Sequence, residues 1–248
     1  MAGHSHSANI ARRKGAVDQK RARTFNKCAR MLQSAVRQGG PDPAHNLKLR
    51  YAIEKARAVN MPKDNMERTI KRAVGEGKQD EELTYEGYAP GGGALIITAL
   101  SDNRARTAGD LKHIFEKGGG NMGSPGAVGF LFQFRALLVA ERGARSEDEL
   151  MEHALEVGAE DVRLEESSAT FLAAPTEFLE VKAKLEKRGL QFVSAELGYM
   201  PLSTVGVADK QTAASVLKLI DSIEENEDVQ EVYANYDFPS EWLDELAS

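Results

Sequence analysis

Apolar residues in the first third of the chain recur at the spacing of an α-helix, about 100° per residue. This spacing predicts a first helix over residues 17–38. Its apolar face consists of Phe25, Cys28, Ala29, Leu32 and Val36. We expect the helix to end at Gly39-Gly40-Pro41, because glycine favours a helix C-terminus and proline cannot continue a helix.

Two further helices follow the same pattern. One is predicted from about Pro43 to Val59, and the next begins after Pro62, where Asp64 and Glu67 have the spacing of an N-cap and its capping-box partner. The residues predicted to face inward are Leu49, Ala52, Ile53, Ala56, Val59, Met66, Ile70, Ala73 and Val74. Three helices of this size can share one small core, so residues 17–76 are predicted to form a helical domain.

The remainder of the chain alternates between strand-like and helical patterns. A hairpin of residues 85–89 and 94–100 precedes a helix over 104–117, a glycine-rich loop over 118–126 and a strand over 128–134. The next predicted elements are strand 136–141, helix 147–156, strands 161–164 and 169–173, helix 176–188 and strand 191–196. The last are strand 202–207, helix 210–224 and strand 229–236. The middle order, βαββαβ, is that of the ferredoxin-like arrangement.

These patterns predict an α+β fold, with an N-terminal three-helix domain and two α/β domains. The final elements complete the first α/β unit, which otherwise lacks a helix and a strand, so we expect the ferredoxin-like unit to be inserted in a discontinuous domain. The predicted boundaries are 1–78 for a basic arm and the helical domain, 79–134 with 202–240 for the discontinuous domain, 135–201 for the inserted domain, and 241–248 for a tail.

The charge of the chain is divided unevenly along its length. The formal net charge is −6, but residues 1–78 hold 18 Lys and Arg against 6 Asp and Glu, a net charge of +12. The remaining residues therefore carry a net charge of −18. This asymmetry favours a basic module that binds a polyanion. The alternatives are an effect on solubility alone, or a basic domain that docks on its own acidic neighbour.

Cationic residues of the basic part form stripes that suit phosphate groups. Lysine and arginine release condensed counterions on contact with phosphates, and arginine can bind them through two nitrogens. On the first and third helices these stripes lie opposite the apolar faces, and we expect them to remain outside. The predicted nucleic-acid contacts are Arg12, Arg13 and Lys14 of the arm, Lys20, Arg23, Lys27 and Arg30 of the first helix, and Lys63, Arg68, Lys71 and Arg72 of the third.

Motifs that would indicate catalysis are weak. Gly118–Gly123 spells G-x-G-x-x-G, but it follows a predicted helix, whereas dinucleotide binding needs a strand before it and a helix after it. No His, Cys and Asp residues have zinc-site spacing, and Cys28 is the single cysteine. The acidic run Glu224–Asp228 is typical of a solvated helix end. We therefore expect a non-enzymatic protein with no cofactor and no metal.

Membrane and secretion signals are also weak. No stretch approaches the roughly 18 apolar residues of a membrane span, and the N-terminal residues include no apolar signal segment. A cytoplasmic location without a membrane partner is the resulting expectation.

Several segments together resemble the YebC/PmpR family, whose mitochondrial members include a translational activator of cytochrome oxidase. The resemblance covers essentially the whole chain. It rests on residues 1–5, 8–10, 13–16, 18, 60–65, 67–68, 70–73, 85–92, 98, 102–104, 119–126 and 228–236. The resemblance implies a three-domain fold and a non-enzymatic role. Family members are DNA-binding transcriptional regulators in bacteria and RNA- or ribosome-associated translation factors elsewhere.

The chain departs from the family pattern in its first residues. His6-Ser7 replaces the usual Lys-Trp, and Ala11-Arg12 replaces Lys-His, so an aromatic residue that could stack on a base is lost. The leading hypothesis is a nucleic-acid-binding regulator of gene expression that resembles the DNA-binding transcriptional members. Its partners would be DNA, or ribosomal or messenger RNA, and with them the transcription machinery or the ribosome. The alternatives are an RNA- or ribosome-associated translation factor and a protein-interaction adaptor.

Overall fold

The protein is described by a computed structural model that covers residues 18–75, 80–239 and 242. Its helices are α1 (Asp18–Gly39), α2 (Leu47–Ala58), α3 (Lys63–Ala73), α4 (Arg104–Lys117), α5 (Glu147–Val157), α6 (Phe178–Lys187) and α7 (Lys210–Glu224). Its strands are β1 (Glu81–Tyr88), β2 (Ala94–Ser101), β3 (Asn121–Met122), β4 (Phe132–Glu141), β5 (Asp161–Leu164), β6 (Ser168–Ala173), β7 (Phe192–Pro201), β8 (Val205–Gly206), β9 (Val229–Ala234) and β10 (Tyr236–Asp237). Helices followed by antiparallel sheets confirm the predicted α+β fold.

Helices α1, α2 and α3 share one apolar core. It contains the predicted inward residues except Val74, which is 61% exposed just beyond the end of α3, so its assignment to the core was wrong. Asn46 fixes the connection between the first two helices, because its side chain accepts a hydrogen bond from Leu49 N at 3.0 Å and donates to Ala35 O at 2.7 Å and Gly40 O at 2.8 Å. The turn from α1 to α2 is thus set by one buried amide.

The predicted capping box of the third helix does not form. Helix α3 begins one residue before Asp64, with Pro62 as its N-cap and no side-chain capping bond. The backbone amides of Asn65 and Met66 donate to Pro62 O, which closes the first turn without the Asp64 carboxylate. Asp64 lies inside that turn, where its negative charge interacts favourably with the helix dipole.

The first sheet is antiparallel, with strand order β3-β1-β2-β9. Alternate apolar residues of its strands pack under α4 and α7 in a single core, as expected for a sheet with helices on one face. The opposite face packs against residues 127–132 and Tyr199. The strand predicted over 202–207 is reduced to β8, which pairs in parallel with β10.

The second sheet has the strand order β5-β6-β4-β7, and every neighbouring pair is antiparallel. With α5 and α6 on one face, this is the ferredoxin-like βαββαβ arrangement. The prediction of two separate strands over 128–134 and 136–141 was wrong. Residues 129–131 form a 3-10 turn, and β4 then runs unbroken because both of its halves pair with the extended β7.

Helix α2 contacts both sheets. The hydroxyl of Tyr51 accepts a hydrogen bond from Leu197 N of β7 at 2.9 Å, and Lys55 forms an ion pair with Glu231 of β9 at 2.6 Å. Burial would lower the pKa of Lys55, but Glu231 and other nearby acidic groups raise that pKa well above its usual value. A largely buried ion pair therefore helps to join the helical bundle to the first sheet.

The glycine-rich loop after α4 is required for close packing. A Cβ atom at Gly118 would lie 2.6 Å from Leu219 of α7, and one at Gly120 would lie 2.7 Å from Tyr88 O of β1. The loop follows a helix and leads to the short strand β3, so it lacks the strand–turn–helix context of a dinucleotide site.

Candidate nucleic-acid interface

Helix α3 carries an exposed cationic face. Arg68, Lys71 and Arg72 are separated by three and four residues, so they lie together on the side opposite the buried Met66 and Ala73. All three are exposed, and none forms an ion pair or side-chain hydrogen bond within the described ranges 18–75 and 80–239. We call Arg68, Lys71 and Arg72 the α3 basic face.

The fourth cation predicted on α3 lies one turn earlier. Lys63 is 83% exposed and its ammonium group is 3.7 Å from Glu67, so it is only weakly paired. Two members of the α3 basic face, Lys71 and Arg72, occupy the last turn, where positive charge stabilises the helix terminus. The face is therefore compatible with the stability of the helix and remains accessible to a ligand.

The cations of α1 have a different environment. The guanidinium of Arg23 pairs with Glu225 at 3.2 Å, and Lys27 Nζ donates to Glu224 O at 3.0 Å. We call Arg23, Lys27 and Arg30 the α1 basic face. The sequence predicted that this face would remain outside. That expectation was wrong for Lys27 and Arg30, which pack against the C-terminal end of α7 and the residues that follow, whereas Arg23 stays exposed.

Arg30 makes the largest set of contacts in the α1 basic face. Its guanidinium donates to Leu100 O at 2.6 Å, to Glu227 O at 2.9 Å, to Asp228 at 2.9 Å and to Asp80 at 3.2 Å. Burial opposes its positive charge, but the hydrogen bonds to Asp228 and Asp80 raise its pKa above the usual value. Arg30 thus joins α1 to β2 and to the loop before β9.

Asp228 is the acceptor at the centre of this contact. It is 5% exposed and also receives hydrogen bonds from Arg106 at 2.8 Å and from the Thr107 hydroxyl at 2.6 Å. Burial would raise its pKa, but the hydrogen bonds from Arg106, Thr107 and Arg30 lower it to about 2. The carboxylate therefore stays charged throughout the physiological range.

The remaining predicted contacts cannot be placed in this geometry. Arg12, Arg13 and Lys14 lie outside the described residues, and the side chain of Lys20 is also outside them. The structure brings Arg23, Lys27 and Arg30 together on one face and Arg68, Lys71 and Arg72 on another. A role in nucleic-acid binding stays a prediction for each of these residues.

Sequence reasoning missed the residues that neutralise the α1 basic face. The run Glu224–Asp228 was interpreted as a solvated helix end, which fits the exposed Glu225 and Glu227 but is wrong for the buried Asp228. A usable signal was present, because Asp228 directly precedes an apolar strand. The charge division along the chain had also left open a basic domain docked on its acidic neighbour, and α1 does dock in this way.

Other kinds of site are not found in the described ranges. No group of three or more His, Cys, Asp and Glu side chains there could hold a metal ion. No helix in this part of the chain has the length and apolar character needed to cross a membrane.

Comparisons with known protein families match two consecutive parts of the chain. Residues 5–76 match the TACO1/YebC protein N-terminal domain, and residues 80–236 match the TACO1/YebC second and third domain. The chain is also 47% identical over 250 residues to a probable transcriptional regulatory protein of Halothermothrix orenii, with 99% of each chain covered. A protein of the same description from Aquifex aeolicus is 46% identical and covers 99% of this chain and 100% of its own length.

A solved structure shares the fold. The crystal structure of a conserved hypothetical protein from Aquifex aeolicus superposes with a TM-score of 0.79 at 45% sequence identity. The match covers 90% of this chain and 93% of that chain.

Proposed function

This chain belongs to the TACO1/YebC family, and from that premise we propose that it is a non-enzymatic, nucleic-acid-binding regulator of gene expression whose main contact surface is the α3 basic face. The observation that carries the proposal is the state of Arg68, Lys71 and Arg72. They are exposed, adjacent and free of carboxylate partners among the described residues, whereas Arg23, Lys27 and Arg30 of α1 are engaged within the protein. Phosphate oxygens are the ligands that such a face prefers.

The relatives support a regulatory role. The relatives from Halothermothrix orenii and Aquifex aeolicus are named probable transcriptional regulatory proteins, and they align over nearly the full length of the chain. In this proposal the arm cations Arg12, Arg13 and Lys14 add phosphate contacts to those of α3.

The composition of α3 favours contact with the nucleic-acid backbone over base reading. Specific readout in the major groove relies on bidentate Arg, Asn or Gln side chains aimed at base edges. Besides the two arginines of the basic face, helix α3 contains no glutamine, and its single asparagine, Asn65, is only partly exposed near the start of the helix. Arginine binds phosphate groups as well as guanine, so this set supports backbone contact more than base reading. Binding through shape and phosphates is also the usual mode for structured RNA. An RNA- or ribosome-associated translation factor is therefore the second candidate function.

The test is fluorescence anisotropy of the full-length protein with duplex DNA and with structured RNA, each titrated across salt concentration. The variant Arg68→Gln/Lys71→Gln/Arg72→Gln removes the α3 charges. The control Lys112→Gln/Lys187→Gln/Lys218→Gln removes three exposed charges elsewhere. Because each lost phosphate contact reduces the salt slope by about 0.9, we expect the slope of the α3 variant to fall by about two to three units. We expect the control to remain close to wild type.

Each outcome has a distinct meaning. Tighter binding to duplex DNA supports the transcriptional role, and tighter binding to RNA supports the translational one. An α3 variant that folds normally and binds like wild type would overturn the proposed surface. Weak, salt-insensitive binding of wild type to both polymers would instead favour a protein-interaction adaptor.

A further inference from the structure

The contact between α1 and the end of α7 has two halves with different properties. The outer half consists of Arg23 and Lys27 against Glu224 and Glu225, and the inner half consists of Arg30 with its acceptors. We call residues 224–227 the acidic segment. It places carboxylates and backbone carbonyl oxygens where an α1 ligand would place phosphate oxygens.

The outer half is open to solvent. The side chains of the Arg23–Glu225 pair are 49% and 65% exposed. Exposed ion pairs are screened by salt and contribute little net free energy, so they exchange readily for another anion. Lys27 donates a hydrogen bond to a backbone carbonyl, Glu224 O, which is a neutral acceptor. A phosphate group, which offers a full charge, is a stronger acceptor for the same ammonium group.

The inner half is closed. The Arg30 side chain is 25% exposed, and the side chains of its acceptors Asp228 and Asp80 are 7% and 13% exposed. Their hydrogen bonds hold α1 in place while the side chains of Arg23 and Lys27 reorient. Exchange at the outer half therefore needs no separation of α1 from the first sheet.

We propose that the acidic segment is an internal competitor for the α1 basic face: it occupies Arg23 and Lys27 in the free protein and yields them to the phosphates of a bound nucleic acid. The inference rests on the proposed function, because it assumes that the bound ligand is a nucleic acid. It adds a second contact surface, which becomes available only when the protein's own carboxylates are displaced.

This competitor has a defined effect on binding. Phosphate groups bind the α3 basic face without displacing a carboxylate of the described residues. At α1, the free energy gained from each phosphate contact is reduced by the free energy of the internal interaction that the contact replaces. The net gain from α1 is small for a short or weakly charged ligand and larger for a polyanion that reaches both helices.

The test uses the full-length variant Glu224→Gln/Glu225→Gln, which keeps the backbone acceptor of Lys27 but removes the competing charges. Removing any two carboxylates strengthens polyanion binding in general. The matched control is therefore Glu152→Gln/Glu166→Gln, two exposed acids of the inserted unit with no ion pair in the described ranges. Because an exposed ion pair contributes at most about 1 kcal/mol, we expect the first variant to bind about two- to fivefold more tightly than the control. Equal affinity of the two variants would overturn the proposal.

A second measurement links the effect to Arg23 and Lys27. In the Arg23→Gln/Lys27→Gln background, the gain from Glu224→Gln/Glu225→Gln is expected to fall to the level of the control, since the competed cations are absent. A gain that persists in that background would show a general charge effect and would contradict the proposal. The α3 variant separates failure of this inference from failure of the proposed function. If it loses binding while the Glu224→Gln/Glu225→Gln variant binds like its control, the inference fails and the proposed function stands. A wild-type protein that binds neither polymer overturns both.

Discussion

The basic faces of α1 and α3 have similar sequence patterns but different surroundings. Both helices carry cations opposite an apolar face that packs into the same core. On α1 those cations meet the acidic end of α7 and the buried Asp228, whereas on α3 they meet solvent. A cationic helix face in the sequence therefore indicates where charge lies on the helix and does not indicate which ligand neutralises it.

Lys55 of α2 extends the comparison to a third helix. It resembles the α1 cations in having a partner within the protein, but its pair with Glu231 is more deeply enclosed, with side chains 17% and 13% exposed. These cations of the bundle thus form a series: Lys55 is largely buried, Arg23 is half exposed, and the α3 basic face has no partner among the described residues. The energetic effect of removing each one should follow that order, and this gives a set of predictions from large to small.

The largest effect is expected for Lys55→Met. Removing the ammonium group leaves the carboxylate of Glu231 in a largely enclosed site without this cation, which also interacts with the charge of Glu196. We expect the free energy of unfolding to fall by about 3 to 5 kcal/mol, measured by urea denaturation. The double variant Lys55→Met/Glu231→Gln should recover part of this loss. A single variant as stable as wild type would contradict the structural role of the pair.

The next effect is expected for Arg30→Met. The variant removes hydrogen bonds to Asp228, Asp80 and two backbone carbonyls, while Asp228 keeps Arg106 and Thr107. A loss of about 2 to 3 kcal/mol in the free energy of unfolding follows. The matched variant Arg68→Met on α3 should change stability by no more than about 0.5 kcal/mol. Equal effects of the two substitutions would remove the distinction between the two helices.

Acid should weaken the same inner contact. The pKa of the Asp228 carboxyl is about 2 in the folded protein, below its usual value of 3.8. Its contribution to stability is therefore fully present above pH 4 and is lost as the pH falls towards 2. A shift of this size corresponds to on the order of 2 kcal/mol. In denaturation curves collected between pH 5 and pH 2, the stability difference between wild type and Asp228→Asn should shrink as the pH falls. A constant difference would argue against this role of the carboxylate.

A small effect is also expected for Arg23→Gln. Its pair with Glu225 is exposed, so the free energy of unfolding should change by less than about 0.5 kcal/mol. Thermal unfolding at low and high salt checks this expectation, since any contribution should be larger at low ionic strength. A loss comparable to that of Arg30→Met would show that the outer half of the contact is as rigid as the inner half.

Much of the fold could be predicted from the sequence, because the spacing of apolar residues indicates which face of each helix or strand is buried. Helices α4 and α7 have the bounds that their apolar spacing predicted, and β5 has the bounds of its strand-like run. The order βαββαβ followed from the elements predicted over residues 136–196. The errors fall where pairing decides the outcome. Strand β4 continues through a stretch predicted as two strands because β7 pairs with both halves.

The candidate site was accessible only in part. The sequence correctly predicted that the cations of α3 are exposed. The reason is that α3 packs through its apolar face alone, so its helical periodicity is enough to identify the opposite face as solvent-exposed. The cap of α3 was misassigned, because the backbone of Pro62 closes the first turn and Asp64 is not needed as its N-cap. The exposed position of Val74 was also missed, because the helix ends one residue earlier and no neighbour covers that side chain.

The sequence by itself determined which residues form helices and strands, which of their faces are apolar, and that positive charge is concentrated in the first third of the chain. Only the tertiary structure decided which positive charges remain available. The physical reason is that the periodicity of one helix or strand indicates only which of its faces is buried. Arg30 and Asp228 are separated by 198 residues, and they meet only when the chain folds. Their contact encloses Arg30, whereas Arg23 stays half exposed and the α3 basic face stays in solvent.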